Sequence, residues 1–253
     1  MNPVLESLFK HRSIRKYKNQ PIEEEKLGLI IKAAQAASSW RNGEQVSIVV
    51  VKDQALKDKI KEISLGQPYI GSCAAFLVFC ADFYRLSLAF EKAGKTKEDF
   101  EKYMSNIDTL LIGTHDVGIC LQNATVAAES MGLGACHIGA IRNKPLELVK
   151  LLNLPKYVIP LVGLTLGYPD DDPGLKPRLP PKAICFENQY NTENAKAGLD
   201  EYDETYKKYL AERESNAKDS NWSQNISSRN TSLQFKDDYE LLKQQGFICI
   251  NEK

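Results

Sequence analysis

The chain is organised around a basic stretch near its N-terminus, His11-Arg12-Ser13-Ile14-Arg15-Lys16-Tyr17-Lys18. Four cations, a histidine and a hydroxyl lie within these eight residues, and such a cluster repels itself unless an anion binds in it. Alternation along an extended chain places Ser13 and Arg15 on the same side, where a hydroxyl and a guanidinium can hold one phosphate. The residues alone leave two interpretations open, a solvated basic turn and an anion site.

Length and composition predict a chain that buries a full core. The sequence has 253 residues, 43% of them apolar, so one large domain or a domain with an extension is expected. Basic and acidic residues both number 33, so no global charge attracts nucleic acid or an anionic membrane. No apolar run approaches the roughly 20 residues of a transmembrane helix, and residues 1–6 lack the pattern of a signal peptide. The cytoplasm is therefore the expected location.

Cysteine and histidine usage argues against a metal site and a protein nucleophile. The six cysteines form no C-x-x-C pair and lie mostly within apolar stretches, as buried reduced thiols do. Three histidines are too few to favour a zinc site. Cys136 and His137 are neighbours on a predicted strand, so their side chains point to opposite faces and do not form a nucleophile pair.

Hydrophobic patterning predicts alternating helices and strands. The predicted strands are residues 46–51, 74–81, 135–141 and 157–166. The predicted helices are residues 3–10, a helix from Pro21 to about residue 39, one capped by Asp53, one at 106–131 and one that begins at Pro145. Residues 84–100 are charged and predict a surface excursion. Helices between strands indicate an α/β or α+β layered domain.

Two segments point beyond a single compact domain. Residues 106–131 are apolar almost all round, which predicts a central helix or a subunit interface. After Pro180 the pattern predicts a loop at 182–198, a charged helix at 199–213, an Asn- and Ser-rich stretch at 215–231 and a last helix that ends at Gly246. This tail cannot form a core alone, so it is expected to wrap its own domain or a partner.

The basic stretch is followed by a series of further motifs in a fixed order. They are Ser64-Leu65-Gly66-Gln67, Phe79-Cys80-Ala81-Asp82-Phe83, Ala127-Ala128-Glu129-Ser130-Met131-Gly132-Leu133-Gly134, Ile138-Gly139-Ala140-Ile141-Arg142-Asn143 and Leu175-Lys176-Pro177-Arg178-Leu179-Pro180. Together they resemble the nitroreductase superfamily, in its oxygen-insensitive NAD(P)H:flavin/nitro oxidoreductase branch. The resemblance implies an α+β fold with a mixed sheet sandwiched by helices, in an intertwined homodimer with flavin mononucleotide (FMN) at the subunit interface. It also implies an FMN-binding domain at residues 1–181 and, at 182–253, a C-terminal helical extension that wraps the dimer and contributes to nicotinamide binding.

The resemblance also assigns site residues by motif position. The implied cofactor-binding residues are His11, Arg12, Ser13 and Arg15 for the phosphate, ribityl and pyrimidine parts of FMN, Lys176 and Arg178 closing over it, and Ser39, Gln67, Ile138 and Gly139 around it. Arg15 is the cation expected beside the flavin N1 and O2, and the backbone N–H of Gly139 is the donor expected at N5. The alternative for Gly139 is a strand end that packs tightly on a helix.

The segment after Ser39 departs from the family pattern, because Trp40-Arg41-Asn42-Gly43 stands where small residues are usual. Trp40 is either a stacking surface for a planar substrate or a core anchor. For the nicotinamide, the resemblance places Arg213 and Lys218 at the 2′-phosphate. Three acids flank these two cations between residues 212 and 219, which predicts only a modest preference for NADPH over NADH.

The expected function is FMN-dependent NAD(P)H oxidation coupled to reduction of nitroaromatics, quinones or free flavin, by two-step (ping-pong) hydride transfer. In this chemistry the protein orients and stabilises, and no metal or covalent catalytic residue is expected. An alternative is a flavin-binding sensor or storage protein without turnover. A weaker alternative is an anion- or nucleic-acid-binding module that uses the basic stretch alone.

Overall fold

The structure, a computed structural model, describes residues 2–213, 217–229 and 237–247. Its strands are β1 (Val46–Val51), β2 (Ala75–Asp82), β3 (Gly134–Ile138) and β4 (Val158–Gly167). Its helices are α1 (Pro3–Phe9), α2 (Glu24–Gln35), α3 (Gln54–Ile63), α4 (Pro68–Ser72), α5 (Tyr84–Lys92), α6 (Lys97–Met104), α7 (Ile107–Ser130), α8 (Pro145–Leu151), α9 (Thr192–Ala211), α10 (Trp222–Arg229) and α11 (Asp238–Gln244). Short 3-10 turns cover Trp40–Asn42, Gly139–Asn143 and Pro181–Ala183.

The four strands form one sheet in the order β1-β2-β4-β3, and each neighbouring pair is antiparallel. A parallel bridge between Ser13 and Ala135 pairs the basic stretch with β3. All eight residues of β2 are buried, and the first seven alternate between two hydrophobic clusters. Leu77 and Phe79 belong to the cluster that contains α2 and α7, whereas Phe76 and Val78 belong to the cluster that contains α3, α4 and α8. The predicted α+β fold, with helices on both faces of a sheet, is therefore confirmed, but the sheet was expected to be mixed and all pairs of described strands are antiparallel.

The chain divides into two compact units, and the division falls before the predicted boundary at residue 181. The first unit runs to Pro173 and also includes α11, and the second begins at Gly174 and includes α9 and α10. Within the first unit, α11 packs beside α8, and the Tyr157 N–H donates to the Gln245 carbonyl at 3.0 Å. The predicted C-terminal extension is thus shared between the two units.

The long helix α7 is only partly covered by the residues that the structure describes. It was expected to be apolar and buried on every side, and its inward face is indeed buried between α2 and the sheet. Its first turns, however, leave Ile107 and Leu111 58% and 59% exposed. None of the described helices is both long and apolar enough to cross a bilayer.

Two predicted helix starts were wrong. Helix α2 begins at Glu24 and not at Pro21, because Ile22 is buried in the core and the chain enters the helix in an extended conformation at Glu23. Helix α9 begins at Thr192 and not at residue 199, because the Asn191 side chain caps it by accepting the Asn194 N–H at 2.9 Å.

Two other segments also differ from expectation. Strand β3 ends at Ile138, three residues before the predicted end, because residues 139–143 turn into a 3-10 helix. The predicted surface excursion at 84–100 contains α5 and the first half of α6, whose Phe100 and Met104 are buried in the main core.

The cysteines largely follow the prediction of buried reduced thiols. The described cysteines are all unpaired: Cys73, Cys80, Cys120 and Cys136 are buried, and Cys185 is exposed. Burial raises the pKa of the Cys73 thiol to about 11. Cys249 lies outside the described residues.

The basic stretch is anchored through its two apolar residues. Ile14 and Tyr17 are buried, and the Ile14 N–H donates to the Ala135 carbonyl at 3.0 Å. The Tyr17 hydroxyl donates to the Ile14 carbonyl at 2.7 Å and lies 2.7 Å from Thr165 Oγ1, while burial raises its pKa far above the ordinary value. A Cβ on Gly134 would lie 2.7 Å from the Ile14 side chain, so only glycine allows this approach. The cations of the stretch are therefore held in a fixed backbone.

We expect Tyr17→Phe to lower the free energy of unfolding by about 1–3 kcal/mol, because it removes the buried donor to the Ile14 carbonyl. Urea unfolding at neutral pH measures the change. Tyr84→Phe is the matched control: Tyr84 is 41% exposed, so its loss should stay within about 0.5 kcal/mol. Equal stability of Tyr17→Phe and the parent protein would contradict the anchoring role of this hydroxyl.

Candidate functional site

The candidate site lies where the basic stretch runs along β3. Ser13 forms a parallel bridge with Ala135, and Tyr17 forms an antiparallel bridge with Pro169, just after β4. The stretch is thus fixed between an edge strand and the segment that follows the neighbouring strand. Its side chains therefore alternate between two sides of a backbone that cannot rotate freely.

Ser13 and Arg15 lie on the same side, as the alternation predicted. Both side chains lie close enough to Cys136 to lower the pKa of its thiol, Arg15 through its charge and Ser13 through its hydroxyl. The guanidinium carbon of Arg15 lies 5.8 Å from the centroid of the Tyr69 ring. Arg15 is exposed, and its Nη1 donates to the Ser13 carbonyl at 3.4 Å. This long bond leaves the guanidinium able to bind an anion.

Burial keeps the two protic groups beside Arg15 neutral. It raises the pKa of the Cys136 thiol and of the Tyr69 hydroxyl, and the positive charge of Arg15 opposes the rise in both. At neutral pH Cys136 is therefore a protonated thiol and a poor nucleophile. Arg15 remains the charged group on this side of the stretch.

His11 belongs to a second polar group at the same end of β3. Its Nδ1 lies 2.7 Å from Glu129 Oε1, and its ring centroid lies 6.5 Å from that of His137. The Thr125 hydroxyl donates to the Leu121 carbonyl and so accepts from Nε2 of His137, at 2.9 Å. Desolvation of the ring, followed by the charge of His11, lowers the pKa of His137, and Glu129 opposes this, although the residue as a whole is exposed. His137 is thus a neutral ring with a fixed tautomer.

The structure separates Arg12 from Ser13 and Arg15. Arg12 and Ile14 both line a cavity of about 380 Å³ on the other side of the stretch. There Arg12 Nε donates to Asp172 Oδ1 at 2.6 Å, and Nη2 donates to Oδ2 at 3.1 Å. The guanidinium of Arg12 is therefore already bound to a carboxylate.

Gln67 and Gly139 both contribute features that suit a planar ligand. The Oε1 atom of Gln67 is buried and has no hydrogen-bond partner in the described part of the chain. Gly139 is exposed, and a Cβ built on it would meet no other atom within 4 Å. The alternative of a strand end packed tightly on a helix is therefore wrong, although the preceding Ile138 is buried. Asn143 Nδ2 donates to the Ile63 carbonyl at 3.4 Å and holds the 3-10 turn against α3.

These residues fit FMN. An exposed guanidinium suits an anionic group, an unpaired buried amide oxygen suits an N–H donor of the ligand, and an open glycine backbone suits close approach of a ring. Arg15, Gln67 and Gly139 supply these three features, and Ser13 adds a hydroxyl beside the guanidinium.

Ser39 lies at the opposite edge of the sheet. It lines a cavity of about 440 Å³ formed by α2, α7 and β1, and β1 is the edge strand farthest from β3. The Ser39 hydroxyl donates to Glu44 Oε1 and accepts the Glu44 N–H, both at 3.2 Å. A single chain therefore does not bring Ser39 together with Arg15 and Gly139.

Trp40 is not a core anchor. Its side chain is 48% exposed, and its backbone N–H donates to both carboxylate oxygens of buried Asp116, at 3.1 and 3.2 Å. The turn that follows places three non-glycine residues at positive φ, Arg41 at 52°, Asn42 at 54° and Glu44 at 54°. Such conformations are costly and persist where the surroundings impose them, often at functional sites.

The second basic motif, Lys176-Pro177-Arg178, packs within the second unit. Lys176 Nζ lies 5.5 Å from the ring centroid of Tyr206, and the Tyr202 hydroxyl donates to the Pro177 carbonyl at 3.0 Å. Arg178 is exposed, and its Nη1 donates to the Lys176 carbonyl at 3.0 Å. The tyrosines of α9 thus hold the motif in place and leave the Arg178 guanidinium at the surface.

Arg213 and Lys218 lie on either side of residues 214–216, which are outside the described part of the chain. The guanidinium carbon of Arg213 lies 5.7 Å from the Tyr209 ring centroid. The backbone N–H of Lys218 donates to the Leu210 carbonyl at 3.2 Å, and its side chain is exposed. Both cations are therefore fixed at the C-terminal end of α9.

Three residues of the site escaped the sequence analysis. Tyr69 follows Gln67 by two positions and could have been suggested by that motif. Glu129 lies within one of the quoted motifs, but nothing in the sequence paired it with His11. Asp172 is 160 residues from Arg12, and no motif or periodicity in the sequence links the two residues.

Comparison with known proteins agrees with this geometry. The family model described as "Nitroreductase family" matches residues 8–168, and that described as "Nitroreductase family, C-terminal domain" matches residues 176–250. The chain therefore belongs to the nitroreductase family.

Particular members are similar over almost the whole length. The chain is 43% identical over 249 residues to an FMN reductase [NAD(P)H] of Bacillus subtilis, covering 98% of each chain. It is 39% identical over 226 residues to an oxygen-insensitive NADPH nitroreductase of Salmonella typhimurium, covering 89% of this chain and 90% of the relative. Among solved structures, B. megaterium NfrA2 is 40% identical, with a TM-score of 0.94 over 98% of this chain and 99% of that one.

Proposed function

We propose that this chain is a cytoplasmic, homodimeric, FMN-dependent NAD(P)H oxidoreductase that reduces nitroaromatics, quinones or free flavin in two half-reactions. The proposal is carried by three features of the predicted site residues: the exposed Arg15 guanidinium, the unpaired Gln67 Oε1 and the open Gly139 backbone. Membership of the nitroreductase family, with relatives named as an FMN reductase and a nitroreductase, supports the same reaction.

The residues of the site bind and orient, and the cofactor supplies the redox chemistry. FMN, when bound, accepts a hydride from the nicotinamide and passes the electrons to the acceptor. Arg15 supplies positive charge, which stabilises the extra negative charge of a reduced flavin. Gly139 lets the backbone approach the ring without a side chain in the way. Lys176 and Arg178 are proposed as further donors to the phosphate, and His11, Arg12, Ser13 and Ile138 as the remaining contacts.

The proposal predicts that the purified protein, loaded with FMN in the absence of oxygen, loses its visible flavin absorbance when NADPH is added. The absorbance should return on addition of a quinone or a nitroaromatic compound. Absorption spectroscopy measures both steps. FMN binding without bleaching by either NADPH or NADH would favour the sensor or storage protein.

A variant pair tests the site residues in the same experiment. Arg15→Ala should weaken FMN binding tenfold or more, because a charge-assisted contact contributes about 1.5–3 kcal/mol. Lys95→Ala is the control, since Lys95 is an exposed cation between α5 and α6, away from the site. Unchanged FMN affinity in Arg15→Ala would remove this residue from the cofactor site.

A homodimer is proposed because the chain alone leaves the site divided. Ser39 lies at the far edge of the sheet from Arg15, and the first turns of α7 expose Ile107 and Leu111. A second copy can cover this apolar surface and bring its own Ser39 to the cofactor of the first. Obligate dimers of this kind usually bury more than about 2,000 Å².

Sedimentation analysis at micromolar concentration should therefore give about twice the mass of one chain and no detectable monomer. The physical reason is that separation would expose the apolar face of α7 and leave each cofactor site incomplete. A monomer that still retains flavin would contradict the dimer proposal.

The second unit is proposed to contribute to nicotinamide binding through Arg213 and Lys218. Arg213 stacks near Tyr209 at the end of α9, where its charge can meet the 2′-phosphate that distinguishes NADPH from NADH. Asp219 is one of the flanking acids, and it pairs with Lys207 at 3.3 Å. The acids should make the preference for NADPH modest and not absolute.

Arg213→Ala should lower kcat/KM for NADPH about tenfold, which corresponds to about 1.4 kcal/mol, and leave kcat/KM for NADH nearly unchanged. Steady-state kinetics with each nucleotide measures the difference. Lys196→Ala provides a control, because it removes an exposed cation from the start of the same helix. Equal losses for both nucleotides, or none for either, would exclude Arg213 from the nicotinamide site.

A further inference from the structure

We propose that Asp172 is an internal anion that competes with the phosphate of the flavin for Arg12. By holding Arg12 on the far side of the basic stretch, it weakens the binding of phosphorylated flavin and so sets how readily FMN exchanges. This inference rests on the proposed function. It assigns to Asp172 the role of tuning specificity between FMN and flavins that lack a phosphate.

The first support is the geometry of the pair. Asp172 receives two parallel N–H donors from Arg12, at 2.6 and 3.1 Å. This fork arrangement is the one that a guanidinium also offers to a phosphate. Asp172 therefore occupies the donors that a phosphate would need.

The second support is the backbone that carries Asp172. Pro169 bridges to Tyr17, and the Asp170 N–H donates to the Lys16 carbonyl at 3.0 Å. The segment after β4 is thus laid along the basic stretch before it reaches Asp172. Backbone hydrogen bonds to the basic stretch therefore fix the position of the Asp172 carboxylate, which does not lie at the tip of a free loop.

The third support is the exposure of the pair. The side chains of Arg12 and Asp172 are 34% and 64% exposed, and an ion pair so close to water is weak enough to exchange. Arg12 is long and can rotate from the Ile14 side of the stretch once Asp172 releases it. A phosphate with nearly two negative charges can therefore displace the single carboxylate, at a cost in apparent affinity.

The consequence for the reaction concerns release. Arg12 is assigned to the FMN that stays bound as the cofactor, and a competitor for this cation makes the bound FMN dissociate more readily. Riboflavin has no phosphate, so its binding should not depend on the Arg12–Asp172 pair. The ratio of FMN affinity to riboflavin affinity is thus the quantity that Asp172 controls.

The test is titration of the full-length protein with FMN and with riboflavin, followed by quenching of flavin fluorescence. Asp172→Asn should tighten FMN binding about three- to tenfold, because it removes the competing charge at nearly constant size. Riboflavin affinity should stay unchanged. Asp170→Asn is the matched control, since it removes the same charge two residues away and leaves the Arg12 pair in place, so it should change neither affinity.

A double variant shows whether the tighter FMN binding depends on Arg12. Arg12→Ala combined with Asp172→Asn should lose the tightening seen in Asp172→Asn alone, which is the coupling expected of a direct pair. Asp172→Ser should repeat the effect of Asp172→Asn, and unfolding midpoints confirm that each variant is folded.

Several outcomes would overturn the inference. They are no tightening in Asp172→Asn, equal tightening in Asp170→Asn, equal tightening for riboflavin, or tightening that persists without Arg12. Failure of the proposed function gives a different result, since the parent protein would then bind no FMN or would bind it without bleaching by a nicotinamide.

Discussion

The site depends on one constraint, the attachment of the basic stretch to β3. The Ile14 side chain packs where Gly134 has no side chain. The Ile14 N–H donates to β3, and the Ile14 carbonyl accepts from the Tyr17 hydroxyl. A run of cations held in this way cannot relieve its repulsion by moving apart. Its charges must therefore be compensated individually, by protein carboxylates or by a ligand.

The compensation is unequal. His11 is hydrogen-bonded to Glu129 and Arg12 is paired with Asp172, whereas the Arg15 guanidinium makes one long bond to a backbone carbonyl. Arg15 also lies over Tyr69, a contact that leaves its N–H groups available. His11 and Arg12 thus have protein carboxylates as partners, whereas the guanidinium of Arg15 still attracts anions.

Sequence patterning predicted the helices and strands that are determined by residues close together in the chain. The strands were readable because each is a run of β-branched and apolar residues, and in β2 every residue is buried. Asp53 was readable as a cap, since it accepts the Leu56 N–H at 2.8 Å. The Asn191 cap was equally local and was missed. The start of α2 could not be read, because burial of Ile22 in the core overrode the preference of Pro21 for a first helical turn.

For the site residues too, relations between neighbours in the chain were predictable and relations between distant residues were not. Ser13 and Arg15 were placed correctly from alternation alone, because their relation is local. The pairing of Arg12 with Asp172 joins residues 160 positions apart, and no periodicity records such a contact. The separation of Ser39 from Arg15 likewise follows from the order of strands in the sheet, which hydrophobic patterns do not encode.

The turn after Ser39 has a consequence for how this protein can change. A Cβ on Gly43 would lie 2.1 Å from the buried side chain of Gln45, while Asp116 on α7 holds the Trp40 backbone and three residues keep left-handed conformations. A larger residue at Gly43, or a β-branched residue at one of the left-handed positions, therefore meets a clash or strain unless its neighbours change with it. The residues of this loop should therefore vary together among related sequences and not one at a time.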